Sequence, residues 1–428
     1  MTREMKDSGV EWIGEIPVDW NIKRNKQLFV EVNDRCENGN EHSLLSVSEY
    51  YGIAPKSEKV SDGEFETRAE SLDGYKLCKV EDIVMNIMLA WKRSTGRSAY
   101  DGIVSPAYCV YRKKADIDTR YYHYLFRTDI VADLFKRYST GIIDSRLRLY
   151  PDKFMSLNMI VPPCDEQCQI AEYLDQQCAY IDSVIEKTKV SIEEYKKLKQ
   201  AIITQAITKG VRDNREMKDS GIEWIGEIPA DWEVVRMKNL GKCRNGLTYS
   251  PDNLVPKEEG TLVLRSSNIK DGKLFFVDNV YVNSEIKDDL MVKAGDILIC
   301  SRNGSRALIG KNALISEGIS ASFGAFMMIF RCQSPKYVQM ILNSAVFSYY
   351  LGTFLTSTIN QLTADNFNNM KIVYCGDKFE QREIVDYLEQ KCAEIDTLIA
   401  KKEQIIVELE SYKKSIVFDY VTGKKEVP

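Results

Sequence analysis

One block of seventeen residues occurs twice in this chain. EMKDSGVEWIGEIPVDW, Glu4 to Trp20, returns as EMKDSGIEWIGEIPADW, Glu216 to Trp232, at a spacing of 212 in a chain of 428 residues. A second block, EQCQIAEYLDQQCAYID from Glu166 to Asp182, reappears as EQREIVDYLEQKCAEID from Glu380 to Asp396, at a spacing of 214. The long stretches between the blocks are largely unrelated. A duplicated frame builds a pseudo-two-fold object from two similar bodies. Holding the frame while varying the filling suits a protein that presents two different recognition surfaces at a fixed separation, and fits a single active site less well.

The segment that begins with the second block reads as a long helix. Cys164 to Lys209 contains no proline and no glycine before Gly210, and Leu174, Cys178, Ile181, Ile185, Thr188, Ile192, Tyr195 and Ile202 follow a 4-3 spacing with one lapse at Lys199. Its copy carries Leu388, Cys392, Ile395, Ile399, Lys402, Ile406, Leu409, Lys413 and Ile416, again 214 residues on. Apolar residues repeating every 3.5 positions form a coiled-coil seam. Each stripe is too narrow to be stable alone in water, so the two helices are expected to pack on one another, antiparallel by the pseudo-two-fold relation. About 44 residues at 1.5 Å each make a rod of roughly 65 Å, the dimension of a spacer. The plainer alternative is a pair of helices that cap a globular core.

Composition narrows the functional classes. With 44% hydrophobic residues the chain can bury more than one core, and its length suggests about two to three domains. A net charge of −5 and a pI near 5.5 count against non-specific coating of nucleic acid, so any DNA contact must come from local basic clusters. The polar start, MTREMKDSG, and the absence of any run near the roughly 18 apolar residues of a membrane span point to a cytoplasmic protein with no membrane contact. The eleven cysteines lack the CxxC pairs of a zinc site, and Cys178 and Cys392 are read as small buried apolar residues. With His42 and His123 the only histidines, neither a histidine-based triad nor a multi-histidine metal site is expected. GSRALIGK, Gly304 to Lys311, separates its glycines by five residues instead of four and has Asn312 where a phosphate loop needs Ser or Thr. VPPC, Val161 to Cys164, lacks the asparagine and the aromatic of an amino-methyltransferase tetrapeptide and reads as a proline stop before the helix. Neither catalytic residues nor metal ligands are assigned.

Each insert is about 140 residues of mixed character, with runs such as AYCVYR (Ala107 to Arg112) and AFMMIFR (Ala325 to Arg331) between glycine and Asp/Asn turns, and reads as a strand-rich α+β domain. Kinship survives at KVEDIV (Lys79 to Val84) against KAGDIL (Lys293 to Leu298), each followed by a basic polar loop. Arginine and lysine reach guanine edges and phosphates, Asn and Gln pair with adenine, and glycine lets backbone approach a groove. The candidate DNA-contacting residues are therefore Lys92, Arg93, Ser94, Thr95 and Arg97 in AWKRSTGR, and Ser301, Arg302, Asn303, Ser305 and Arg306 in SRNGSR. Further candidates are Arg146 and Arg148 in DSRLRL, Arg265, Ser267 and Asn268 in RSSN, and Thr358, Asn360 and Gln361 in STINQL. For any single one, a solvated loop is the common alternative.

A WIGEIPxDW motif, a variable domain, a PP-x-x-EQ-x-x-I helix and then the whole cycle again closely resembles the specificity (S) subunit of type I restriction-modification enzymes, over essentially the full chain. The resemblance implies an α+β fold: two globular target recognition domains joined by a long antiparallel two-helix coiled coil, with pseudo-two-fold internal duplication. It implies an N-terminal repeat segment at 1–17, target recognition domain 1 at 18–161 and a central conserved helix at 162–212. A second copy of the opening segment at 213–229, target recognition domain 2 at 230–374 and a C-terminal conserved helix at 375–428 complete the series. Each domain would bind one half of a split, asymmetric double-stranded DNA site, while the helices set the spacing and dock two modification (methyltransferase) subunits. S-adenosylmethionine, and in the full complex ATP and Mg, would be bound by partner subunits and none by this chain. Family members also serve enzymes that only methylate, so the presence of two restriction subunits stays open. One departure stands out: the second copy has VYCGDKFEQ where the first has VPPCDEQ, so its helix start is expected to be looser. The competing readings are a coiled-coil scaffold whose inserts bind proteins, and an enzyme with an unrecognised site.

Overall fold

The computed structural model describes residues 3–58, 71–354 and 360–428. The chain forms two compact units, Met1–Thr188 with Gln404–Pro428, and Lys189–Glu403. Both are α+β, and both take part of their helical content from the two long helices Cys164–Lys209 and Lys378–Val421. Among the described residues no helix is long and apolar enough to cross a membrane. Thr358 lies outside the described residues.

In the first unit the repeated seventeen residues form a hairpin, Met5–Asp7 antiparallel to Glu15–Pro17. The Asp7 side chain accepts from the Gly9 N–H at 2.9 Å, an Asx turn that starts the reversal and explains the DSG triplet. The hairpin ends on Trp20, fully buried, whose Nε1–H donates to Glu166 at 2.8 Å. Arg3 pairs with both Glu166 and Asp19, and its guanidinium lies 5.3 Å from the Trp20 ring centroid. The bonds to Glu166 hold the guanidinium above its ordinary pKa despite partial burial. Gln167, next on the helix, donates to Pro162 O at 2.8 Å and accepts from Asp118 N–H at 3.0 Å. The two repeated blocks are thus two sides of one joint, which locks the helix start onto its globular body.

That body is built on a four-stranded antiparallel sheet in the order Phe29–Val32, Tyr108–Lys113, Ile83–Asn86, Thr95–Arg97. Helices Thr119–Phe126, capped by Asp118, and Asp129–Tyr138, capped by Thr128, pack against it. Phe29, Tyr122, Phe126, Phe135 and Phe154 fill the core with edge-on and tilted contacts at centroid separations of 5.3 to 6.0 Å. Truncating one such aromatic removes about 3–5 kcal/mol. The same core takes in Leu174, Ile181 and Ile185 from the first long helix and Ile416, Tyr420 and Val421 from the second, with Ile406 packed against it. Cys178 is buried as well. Tyr173 meets Tyr420 at 4.7 Å between centroids, and Asp182 pairs with Lys413 at 2.6 Å. Early residues of one helix meet late residues of the other, so the pair is antiparallel.

The second unit repeats this plan with other residues. Met217–Asp219 pairs with Glu227–Pro229, Trp232 is fully buried, and its Nε1–H donates to Glu380 at 3.3 Å. Arg215 bridges Glu380 and Asp231. The four-stranded sheet runs Gly241–Asn245, Met327–Cys332, Ile297–Cys300, Asn312–Leu314, also fully antiparallel and in the same topological order as in the first unit. A second sheet, Leu254–Val255, Val280–Val282, Thr261–Leu264 and Ala321–Phe323, includes one parallel pair. Ile192, Leu388 and Ile395 of the seam are buried, while Cys392 and Ile399 are half-buried. The lapse at Lys199 is an ion pair with Asp396 at 2.7 Å, the duplicate of Lys413 with Asp182. Partly exposed pairs of this kind contribute roughly 0–1 kcal/mol, but a charged residue at a seam position specifies register.

The second helix start differs from the first in its side-chain bonds. Gln381 donates to Cys375 O at 2.6 Å, while its Oε1, buried, finds no donor among the described residues, where Gln167 has Asp118. Glu380 is fully buried at its side chain. Burial raises its pKa, and the bonds from Arg215, Trp232 and Cys375 outweigh this and hold it below the usual carboxylate range. Glu380→Ala leaves the buried Trp232 N–H without an acceptor and Arg215 with Asp231 alone, a loss of about 3 kcal/mol. In calorimetry the transition should fall by about 6–12 °C, and by less for Glu166→Ala, whose side chain is 18% exposed. An unchanged transition in the Glu380 variant would refute the joint.

Candidate nucleic-acid interface

The kinship of KVEDIV and KAGDIL marks the support of the candidate loops. Asp82 accepts from Lys79 N–H at 2.9 Å and from Arg112 Nε and Nη2 at 2.9 and 2.8 Å. Asp296 does the same with Lys293 N–H at 2.8 Å and with Arg331 at 2.7 and 2.6 Å. Both carboxylates are almost fully buried, at 2% and 1% exposure. Each fork fastens the strand that leads into the loop to its central neighbour, with the planar, two-bond geometry that arginine alone supplies.

In the first unit that strand leads into a short 3-10 turn, Ala90–Lys92, stopped by Arg93 in the left-handed region at φ 66°. Lys92 is exposed, and both Lys92 and Lys136 place their ammonium over the Trp91 ring, at 5.1 and 4.8 Å. Arg93 is half-exposed and paired with Asp129 at 2.5 Å. Ser94 and Thr95 are buried, their hydroxyls donating to Val47 O and Val84 O at 3.1 Å each. They cannot meet DNA and leave the candidate set, because the strand Thr95–Arg97 begins inside the loop and turns them inward. Arg97 is occupied by Thr119 at 3.2 Å and Glu81 at 3.6 Å. Arg146 is exposed and Arg148 half-exposed on a loop closed by the backbone pair Thr140–Arg148. That loop is tied to the first by Leu149 N–H to Ile87 O at 2.9 Å, and Lys136 spans from Trp91 to Asp144. Lys136 had no signal in the sequence, since Trp91, the ring it covers, lies 45 residues earlier in the chain.

The second unit gathers three candidate segments. Arg302 is exposed and lies 5.2 Å from the Phe326 ring centroid, and its backbone pairs with Gln361. Asn303 donates to Ser266 Oγ at 3.2 Å, Lys311 to Ser266 O at 3.3 Å, and Asn360 to Gly304 O at 3.5 Å. Ser267, Ser305 and Arg306 are exposed on the same loops, with Arg306 donating to Gly352 O at 3.3 Å. Arg265 points to the Asp278 carbonyl. Ser301 and Asn268 are buried and are withdrawn as base-reading residues. Asn268 accepts from Arg265 N–H and donates to Phe275 O and Asn279, so its amide pins the loops instead of facing out. Leu362 N–H to Ser301 O, at 2.8 Å, repeats the Leu149 tie.

His123 is a component that sequence reasoning set aside. Its Nδ1 accepts from Arg97 N–H at 3.2 Å, and a Cβ on Gly96 or Gly52 would come within 2.9 or 3.0 Å of the ring, so both loops need glycine there. Burial, then the nearby Arg127 and Arg97, push the imidazole down to about 3. All eleven cysteines are free, and no His/Cys/Asp/Glu group among the described residues could hold a metal ion.

Two similar bodies, each presenting polar, basic loops on a braced antiparallel sheet and each sharing the same two long helices, define a duplicated recognition protein. Residues 229–410 match the family model described as the type I restriction modification DNA specificity domain. The chain is similar to the type I restriction enzyme MjaVIII specificity subunit of Methanocaldococcus jannaschii, 25% identical over 96% of this chain and 94% of that one. It also resembles the EcoKI specificity subunit of Escherichia coli, 25% identical over 46% of this chain and 44% of that one. Among solved structures, a chain from a study of type I R-M complex assembly and conformational transition superposes with a TM-score of 0.73 at 14% identity, covering 96% of this chain and 99% of that chain. The HsdS subunit of Thermoanaerobacter tengcongensis gives 0.52 at 15% identity, covering 96% and 98%. The second half of the chain thus matches the type I restriction modification DNA specificity domain, and nearly the whole chain is similar to a type I restriction enzyme specificity subunit.

The imidazole position carries a pH signature. Between the ordinary histidine value near 6.5 and about 3 the unfolded chain binds a proton that folded His123 refuses, so stability falls as pH drops through that window and is untouched above it. The loss in melting temperature from pH 7.5 to about 5 should be smaller in His123→Gln than in the native protein. Equal losses would show that His123 is protonated normally in the fold.

Proposed function

We propose that the chain reads a split, asymmetric double-stranded DNA site. The first recognition domain, 18–161, reads one half and the second, 230–374, reads the other. The observation that carries this reading is one braced sheet occurring twice with different loops: Trp91, Lys92 and Arg93 in the first, Arg302, Asn303 and Gln361 in the second. The same frame with different donors suits two different half-sites. Two modification subunits dock on the helix regions 162–212 and 375–428 and bring S-adenosylmethionine. Where two restriction subunits join, they bring ATP and Mg; the methyltransferase complex stands without them. The assembly works in the cytoplasm, and the acidic balance of this chain leaves much of the phosphate neutralisation to its partners. Linking two weak readers makes the second contact intramolecular, so specificities multiply while only one spacing is accepted.

Two tests follow. Arg302→Ala should weaken binding of the split site by the purified methyltransferase complex roughly 10-fold and relax only one half of the methylated sequence, as read by long-read sequencing. Equal affinity of the native complex for random DNA would sink the proposal and favour a protein-binding scaffold. Deleting one heptad from each long helix preserves the seam and shortens the pair by about 10 Å, which corresponds to about three base pairs of duplex. The spacer of the methylated motif should shorten accordingly; an unchanged spacer would show that the helices are not the ruler.

A further inference from the structure

The helix Thr119–Phe126 ends beneath a hairpin that lies outside the candidate loops. Strands Leu45–Ser48 and Gly52–Pro55 pair with Ser48 opposite Gly52, leaving Glu49, Tyr50 and Tyr51 as a three-residue turn. Arg127, the residue that closes the helix, reaches into this turn and into the basic loop together. Its Nη1 donates to Ser48 O at 3.1 Å and to Arg93 O and Thr95 O at 2.9 Å each. Its Nη2 donates to Glu49 O and Tyr50 O at 3.0 Å each. All five acceptors are backbone carbonyls, three on the turn and two on the loop. The buried hydroxyl of Ser94 adds a sixth tie, to Val47 O. Burial, with Arg93 close by, lowers the guanidinium only to about 10, so it stays charged at neutral pH.

The consequence is a turn fixed in register with Lys92 and Arg93, carrying an aromatic side chain that is 84% exposed, Tyr50. Glu49 lines the shallow groove beside Trp91, Lys92 and Arg93. Holding a large ring nearly naked in water gains nothing for the fold. Beside Lys92 and Arg93 it supplies what DNA recognition uses, an apolar ring for a base or sugar and a phenolic O–H for a phosphate, and the neighbouring Glu49 is the acceptor type that suits cytosine N4. We infer that the turn Ser48–Tyr51 is a second DNA-contacting segment of the first recognition domain, with Tyr50 touching the duplex and Arg127 the positioning residue that locks the turn to the basic loop. This rests on the reading of the chain as a two-domain reader of split DNA.

The second copy has a different device in the same place. After the corresponding helix start at Pro335, Gln339 and Asn343 replace His123 and Arg127; Gln339 donates to Gly272 O at 3.3 Å and Asn343 accepts from Asn312 at 3.0 Å. The helix face that holds the loops thus differs between the copies along with the loops themselves.

The test uses the whole complex with its modification subunits and three duplexes: the intact split site, one with the first half-site scrambled and one with the second scrambled. Tyr50→Ala should lose roughly 10-fold on the intact site and lose nothing further on DNA whose first half-site is already scrambled. Arg127→Met should flatten discrimination at the first half-site while leaving discrimination at the second intact, and Arg127→Lys should not rescue it, since one ammonium cannot span five carbonyls. A merely structural Arg127 would lower the melting temperature yet keep the base preferences of the first half-site, which would overturn its positioning role. Native discrimination with unchanged binding by Tyr50→Ala would overturn this inference alone. A native complex that discriminates neither half-site would overturn the two-domain reading as well.

Discussion

The contact on which the rest depends is the meeting of Arg3, Trp20 and Glu166, and of Arg215, Trp232 and Glu380, at the start of each long helix. A carboxylate on the first turn accepts from an indole N–H and from a guanidinium that also covers the indole ring. Removing the carboxylate leaves the buried indole N–H without an acceptor, and removing either donor weakens what holds the carboxylate, which is why the three act as a unit. The two sequence blocks that the duplication preserved are the two sides of this joint, and their separation along the chain is the length of the recognition body placed between them. Stability therefore concentrates where helix meets body, and the loops that join the sheet strands are free to differ.

A second constraint sits inside each body. The Asp82–Arg112 and Asp296–Arg331 forks brace equivalent strands of two sheets whose sequences otherwise share little. Above that brace the same loop positions carry different chemistry, Trp–Lys–Arg in one copy and Arg–Asn with a Gln neighbour in the other. The differing loops are held by a common scaffold, and residues beneath them, such as Arg127 and Asn268, bind the loop backbone from inside.

The helices and their seam were legible in the chain because helical periodicity is local: Leu174, Ile181, Leu388 and Ile395 lie at the spacings that bury them. The lapse at Lys199 was legible only as a lapse; its ion pair with Asp396 required the partner helix. The candidate interface was less legible. Residue type marked Ser94, Thr95, Asn268 and Ser301 as equal to Lys92 and Arg302, yet the first four are buried. The reason is that a hydroxyl or amide serves equally well to read a base or to satisfy a backbone carbonyl, and which it does depends on segments tens of residues away.

By itself the sequence determined that there are two copies of one frame, that each is tied to a long amphipathic helix, and that the loops between differ. These follow from repetition and period, which need no knowledge of long-range contacts. Only the tertiary structure decided which polar residues face outward, that Arg127 and Ser94 join a hairpin turn to the basic loop, and that both bodies share one sheet order despite their divergence. Hydrogen bonds between distant backbone segments make those decisions, and such bonds leave no pattern along the chain.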